Sequence, residues 1–337
     1  MRLCTFEVHT HLGWQSRLGA IEADGVIDLN FAAAETLGNA RLADALAPPS
    51  LLGLLDGGEA SMEEARKAVA SLPAEMRIGS RDETLRYRWD EIRLRTPLPD
   101  ARSVRDFFAF EAHVKMGFEK RGEAMPQEWY EFPVYYQTGH HNLLGTDQDV
   151  LWPSFTERFD YELELAVIIG REGRNIPAAK AREYIAGYTI LNDFSARDIQ
   201  RREMKVRLGP AKGKHWASGV GPWMVTRDEI PNPYSLEMVA RVNGEEWSRG
   251  NSRDMHWKFE QMIEFLSQDD TIYPGDILGS GTVGTGCGLE LNRWVQPGDV
   301  IELEIEKIGV LRNRVVRPEH PRIEGLQQRR IANVSAE

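Results

Sequence analysis

The chain opens on short apolar stretches that alternate with polar residues: RLCTFEVH, then RLGAIEADGVIDL with a turn at Asp24 and Gly25. Period-two alternation places successive side chains on opposite faces, so both stretches read as strands. SMEEARKAVASL switches to helical spacing, with Ser61 and Glu64 in a capping-box pattern. Between residues 72 and 95 the pattern lapses and reads as a connection. The expected organisation is a small β-rich N-terminal domain with its linker over 1–95 and a larger domain over 96–337.

In the second part DYELELAVIIG, residues 160–170, alternates and then runs apolar, as a strand entering a core does. Residues 177–186 read as a helix with proline near the start and Gly187 at the end, and GYTILN as a second strand that stops at Asp193. PGDVIELEIEKIGVLRNRVV reads as a hairpin turning around Ile308 and Gly309. Strands with short helices between them predict a β-dominated α+β fold rather than a doubly wound sheet.

Composition narrows the partners. The 337 residues carry a formal net charge of −11, which argues against a nucleic-acid surface, while a small anionic substrate stays open because local charge decides that. No apolar stretch approaches the roughly 20 residues needed to span a bilayer, and MRLCTFEVHTH lacks an apolar signal core. The two cysteines, Cys4 and Cys287, have no partner at disulfide or zinc-ribbon spacing, which fits a reducing cytoplasm.

Two residues apart on a strand, Glu162 and Glu164 share a face roughly 6 to 7 Å apart, with Asp160 behind them. Such a pair is costly unless water or a cation screens it. The same E-L-E recurs at Glu302 and Glu304, so spacing alone does not choose between the copies. Only the first is followed by a carboxylate at the end of the next strand, Asp193 in NDFSARDIQ. Three carboxylates without nitrogen or sulfur select Mg²⁺, Mn²⁺ or Ca²⁺ over zinc.

RDFFAFEAH, FPVYY, FDYELELAVIIG, NDFSARDIQ, LGPAKGKHWASGVGPW and GSGTVGTGCGLEL follow one another between residues 103 and 314. In that order they resemble the fumarylacetoacetate hydrolase superfamily. The resemblance implies a mixed β-roll C-terminal catalytic domain, a bound divalent cation, Mg²⁺ before Mn²⁺ or Ca²⁺, and a homodimer. It implies Glu162, Glu164 and Asp193 as metal ligands, His113 as catalytic base and Glu290 as the acidic residue that orients it. Lys214 matches the lysine near the metal, Arg197 and Gln200 match polar groups facing substrate, and Tyr136, Ser218 and Thr282 fall at further substrate-contacting positions. Eukaryotic fumarylacetoacetases place a fourth metal carboxylate just before the histidine; counting back puts Ala109 there, with Glu111 as a substitute or base.

The activity so implied is metal-dependent hydrolysis of a C–C bond in a β-diketo acid of the fumarylacetoacetate or acylpyruvate type. Histidine titrates near neutral pH and suits deprotonation of water, and Lys214 suits a developing enolate. The competing readings are a lyase or isomerase on the same scaffold, decarboxylating oxaloacetate, dehydrating 2-keto-3-deoxy sugar acids or isomerising 2-oxo acids, and a non-catalytic metal-binding protein. Lys212 is the control for Lys214. His9 and His11 mimic an H-x-H zinc pair without further ligands, and Cys287 reads as a small buried residue beside a glycine-rich turn.

Overall fold

The computed structural model describes residues 1–319; the remainder of the 96–337 segment lies outside the described residues. Its main path of strands runs Arg86–Arg88, Gly25–Asp28, Gly13–Glu22, Arg2–Thr10, Ser218–Thr226, Ile185–Asn192, Leu163–Ile169, Asp276–Gly279, Ser103–Phe107 and Tyr135–Thr138. The fold is a mixed, strand-dominated α+β structure, as the alternation predicted. A second, five-stranded sheet comprises Glu245–Asn251, Glu237–Val242, Val300–Ile305, Gly309–Val316 and Val150–Leu151. Val167, Ile190, Met238, Leu303 and Leu311 from the two sheets are buried in one core, so the sheets close over each other as a roll.

The N-terminal strands are continuous with this sheet, because Leu3 pairs with Met224. Residues 72–95 hold two short strands, Arg86–Arg88 and Ile92–Leu94, paired to Gly25–Asp28 and Arg2–Thr10. Their three-residue length left too little pattern to read. The helix Gly58–Ser71 begins with Gly57 as its N-cap, so Ser61 lies inside it and makes no capping box. Residues 177–186 form the short helix Ala178–Ala181, a 3₁₀ turn, Arg182–Tyr184, and the first two residues of a strand. Gly187 does not cap this segment but sits in the strand Ile185–Asn192, where pairing on both edges outweighs the local helical pattern. The hairpin at Ile308 and Gly309 and the turn at Asp24 and Gly25 form where expected.

Candidate active site

Sheet register brings the chemistry to one end. Leu163 pairs with Asn192 and Ala166 with Gly279 in antiparallel ladders, so the start of one strand lies beside the ends of its two neighbours. Gly279 then pairs in parallel with Asp106, and Asp106 pairs with Tyr136. Glu164, Asp193, Asp106 and Tyr136 therefore converge although they are far apart in sequence. Ser218 precedes Gly219, whose register partner is Asn192, which sets it beside Asp193.

Oxygens of Asp106, Glu164 and Asp193 lie within 4.8 Å of one another and all three residues are buried. The carboxylate that joins Glu164 and Asp193 is Asp106, three residues before the Ala109 to which counting back had led. Ala109 is fully buried and only its backbone is engaged, to Ser280 and His256. The N–H of Gly281 donates to Asp106 Oδ1 at 3.2 Å and to Glu164 Oε2 at 3.1 Å. A Cβ at Gly279 would stand 2.5 Å from Leu191 Cδ2, 2.6 Å from Asp106 Oδ1 and 2.9 Å from Glu164 Oε2, so any larger residue would push these side chains aside. Gly281, at φ +78°, supplies the left-handed turn that aims its N–H into the cluster. Burial, and then the neighbouring Asp193 charge, push the Asp106 carboxyl well above the usual range; burial and Asp106 do the same to Glu164.

Glu162 behaves differently. Its Oε1 accepts from Arg197 at 2.9 Å and its Oε2 from Lys214, which also donates to Asp193 Oδ2. Although burial opposes it, Arg197 and then Lys214 hold the Glu162 carboxyl well below the usual range. Burial likewise disfavours the Lys214 ammonium, yet Asp193 and Glu162 outweigh it and keep the amine charged. Asp160, which sequence reasoning left in the background, accepts from Arg197 Nε at 2.8 Å, lies 2.7 Å from Arg197 Nη2, and accepts from the N–H groups of Gly288 and Leu289 at 2.8 and 3.0 Å.

Those last two bonds fix the turn Gly288–Leu291 that bears Glu290. His113 sits near the start of the helix Glu111–Glu119, with Nδ1 3.1 Å from Glu290 Oε2 and Nε2 3.8 Å from Glu162 Oε1. The Nδ1 contact is an ion-pair distance without hydrogen-bond alignment. Lys120, just past that helix, donates to the Leu289 carbonyl at 2.5 Å, tying the histidine's helix to the glutamate's turn.

The remaining expected residues fall around this core. Tyr136 donates to Asp193 Oδ2 at 2.5 Å, Thr282 to Glu164 Oε1 at 3.4 Å, and Gln200 Oε1 accepts from Arg197 at 3.2 Å. Ser218 is buried with its hydroxyl unpartnered. Glu111 is engaged by Tyr130 at 2.6 Å and Lys115 at 2.7 Å, turned to a different set of partners. Lys212 lies exposed over the Phe155 ring, and Glu304 faces Arg241 on the outer side of its strand. An open cleft of about 510 Å³ between Asp56, Arg102 and Arg171 shares no residue with the site, and its Arg102 is paired with Asp56.

The donor set fits a hard divalent cation: crowded buried carboxylates, with Asp193 Oδ1 lacking any hydrogen-bond partner. Asp106, Asp160, Glu162, Glu164 and Asp193 carry five formal negative charges against two positive ones on Arg197 and Lys214. A dication would leave one formal negative charge in excess over these seven residues.

Residues 102–316 match the family model described as fumarylacetoacetate (FAA) hydrolase C-terminal. This chain belongs to the fumarylacetoacetate hydrolase family. Human oxaloacetate tautomerase FAHD2A, mitochondrial, is 32% identical over 332 residues, covering 94% of this chain and 92% of that protein. Fumarylacetoacetate hydrolase from psychrophilic Exiguobacterium antarcticum is 26% identical with a TM-score of 0.66, covering 94% of this chain and all of the solved one. Maleylpyruvate hydrolase from Sphingobium sp. SYK-6, solved with manganese(II) and pyruvate, shares the fold at 24% identity and a TM-score of 0.67, over 95% of this chain and all of that one. The family is one of enzymes acting on small substrates, and no helix among the described residues is long and apolar enough to cross a membrane.

Proposed function

We propose that this chain is a divalent-metal-dependent hydrolase that cleaves a C–C bond in a compact anionic β-diketo acid, of the acylpyruvate or fumarylacetoacetate kind. The observation that carries the reading is His113, set between the Glu290 carboxylate at 3.1 Å and Glu162 at 3.8 Å beside the buried carboxylates. Asp106, Glu162, Glu164 and Asp193 would hold the cation, Mg²⁺ first and Mn²⁺ or Ca²⁺ as alternatives. When bound, such a cation polarises substrate oxygens as a Lewis acid. His113 is the base: with Nδ1 beside the Glu290 carboxylate at 3.1 Å, its Nε2 takes a proton from water, which attacks the distal carbonyl. As the C–C bond breaks, its electrons pass to an enolate and the proton on His113 returns to carbon. Lys214, kept charged by Asp193 and Glu162, stabilises that enolate. Arg197, Gln200, Tyr136, Ser218 and Thr282 line and orient the substrate. A homodimer and a cytoplasmic location complete the proposal; light scattering and cell fractionation test them.

One observation favours a second reading, keto–enol tautomerisation of oxaloacetate: the human relative matched over 92% of its length bears that name. His113 would then shuttle a proton between carbon and oxygen without water. The two are separated by kcat/KM for acylpyruvates and fumarylacetoacetate against oxaloacetate tautomerisation and decarboxylation and sugar-acid dehydration, at saturating Mg²⁺ and Mn²⁺. The hydrolase reading expects a β-diketo acid to lead. A tenfold preference for any other substrate, about 1.4 kcal/mol of transition-state discrimination, overturns it.

A further inference from the structure

A second set of ligand atoms, of different chemistry, lies behind His113. Its Nδ1, the Cys287 thiol and a Glu290 carboxylate oxygen are within 4.8 Å of one another. Nδ1 is 3.1 Å from Glu290 Oε2, and Cys287 Sγ is 3.4 Å from the same oxygen. A tetrahedral centre with bonds of about 2.0 Å to nitrogen, 2.1 Å to oxygen and 2.3 Å to sulfur has N···O and S···O edges near ~3.4 and ~3.6 Å. These contacts are therefore within a few tenths of an ångström of a metal's own geometry before any metal binds.

Two of the groups are also unsatisfied. His113 Nδ1 and Glu290 Oε1 are buried without a hydrogen-bond partner, at residues whose side chains are 10% and 2% exposed. Cys287 is fully buried, and its backbone is pinned by a bridge to Glu162. One nitrogen, one sulfur and one oxygen suit a borderline-soft cation, whereas the four carboxylates next door suit a hard one.

We propose that His113, Cys287 and Glu290 form a second, inhibitory metal site for a thiophilic divalent cation, Zn²⁺ above all, distinct from the carboxylate site. Metal uptake replaces the thiol proton, which leaves to solvent, and takes both His113 and Glu290 out of proton transfer. The binding stands on geometry alone; the inhibition rests on the base role proposed for His113.

Co²⁺ added to the full-length, Mg²⁺-saturated protein is the probe, because only a thiolate ligand gives a near-ultraviolet charge-transfer band. The band is expected in the wild type and in Cys4→Ser, lost in Cys287→Ser and weakened at least tenfold in affinity in His113→Ala. X-ray absorption of the Zn²⁺-loaded wild type should show one sulfur at about 2.3 Å, a reading that needs no variant to fold. Absence of the band and the sulfur shell, or a band that persists in Cys287→Ser, overturns the site. Zn²⁺ should inhibit turnover in a way that excess Mg²⁺ does not relieve, with sensitivity at least tenfold lower in Cys287→Ser; equal sensitivity overturns the inhibitory role. A Co²⁺ band in a protein that turns over none of the tested substrates sinks the functional reading and leaves the site standing.

Discussion

Asp106, Glu164 and Asp193 sit in a place where like charges are buried together, which only a cation or bound protons make tolerable. Asp106→Asn or Glu164→Gln should abolish the thermal stabilisation that Mg²⁺ or Mn²⁺ confers and reduce turnover to background, while the metal-free protein becomes no less stable. Glu304→Ala, on the outer face beside Arg241, should leave both intact; differential scanning calorimetry with and without chelator distinguishes them. His113→Ala should lower kcat by about 10²- to 10⁴-fold with metal still bound, checked by metal content and steady-state kinetics. Unchanged turnover in that variant would exclude His113 as the base. That Glu164 and Asp193 come together was legible in sequence, because a strand's two-residue period and a strand end mark them, whereas Glu162 is turned to Arg197 and Lys214. Asp106 was not legible, since only the parallel pairing of Gly279 with Asp106 brings it in. Counting back from His113 reached Ala109 instead, three residues too late.

At the scale of elements, the site depends on how the helix Glu111–Glu119 and the turn Gly288–Leu291 are held together. Asp160 joins that turn to Arg197, and Arg197 reaches Glu162. Asp160→Asn removes the charge opposite a buried guanidinium and one acceptor from the turn. Loss of up to about 3 kcal/mol of stability is expected from chemical denaturation, because the buried guanidinium is left with Glu162 alone to balance it. A kcat reduced by about tenfold or more, with KM little changed, would accompany it; wild-type kcat in the folded variant would show that Glu290 is positioned without Asp160. The strands and the final hairpin were legible from alternation, whereas residues 177–186 were misread as a longer helix. GYTILN was read as a strand, but nothing local reveals that the strand already begins at Ile185, which pairs with Ile169.

For the whole molecule, one sheet carries the N-terminal strands and the active-site strands together, so cation binding at its end should stabilise the described fold as a unit. At a cation concentration a hundredfold above Kd, mass action predicts about 2.7 kcal/mol, readable as a shift of a single unfolding transition. The proposed activity consumes water in cleaving carbon from carbon. Turnover of an acylpyruvate in H₂¹⁸O at saturating Mg²⁺, followed by mass spectrometry of the products, tests it directly. One ¹⁸O atom is expected in the carboxylate released from the distal carbonyl, with cleavage lost on chelation. An intact carbon skeleton, or cleavage that continues at full rate after the cation is removed, would contradict it.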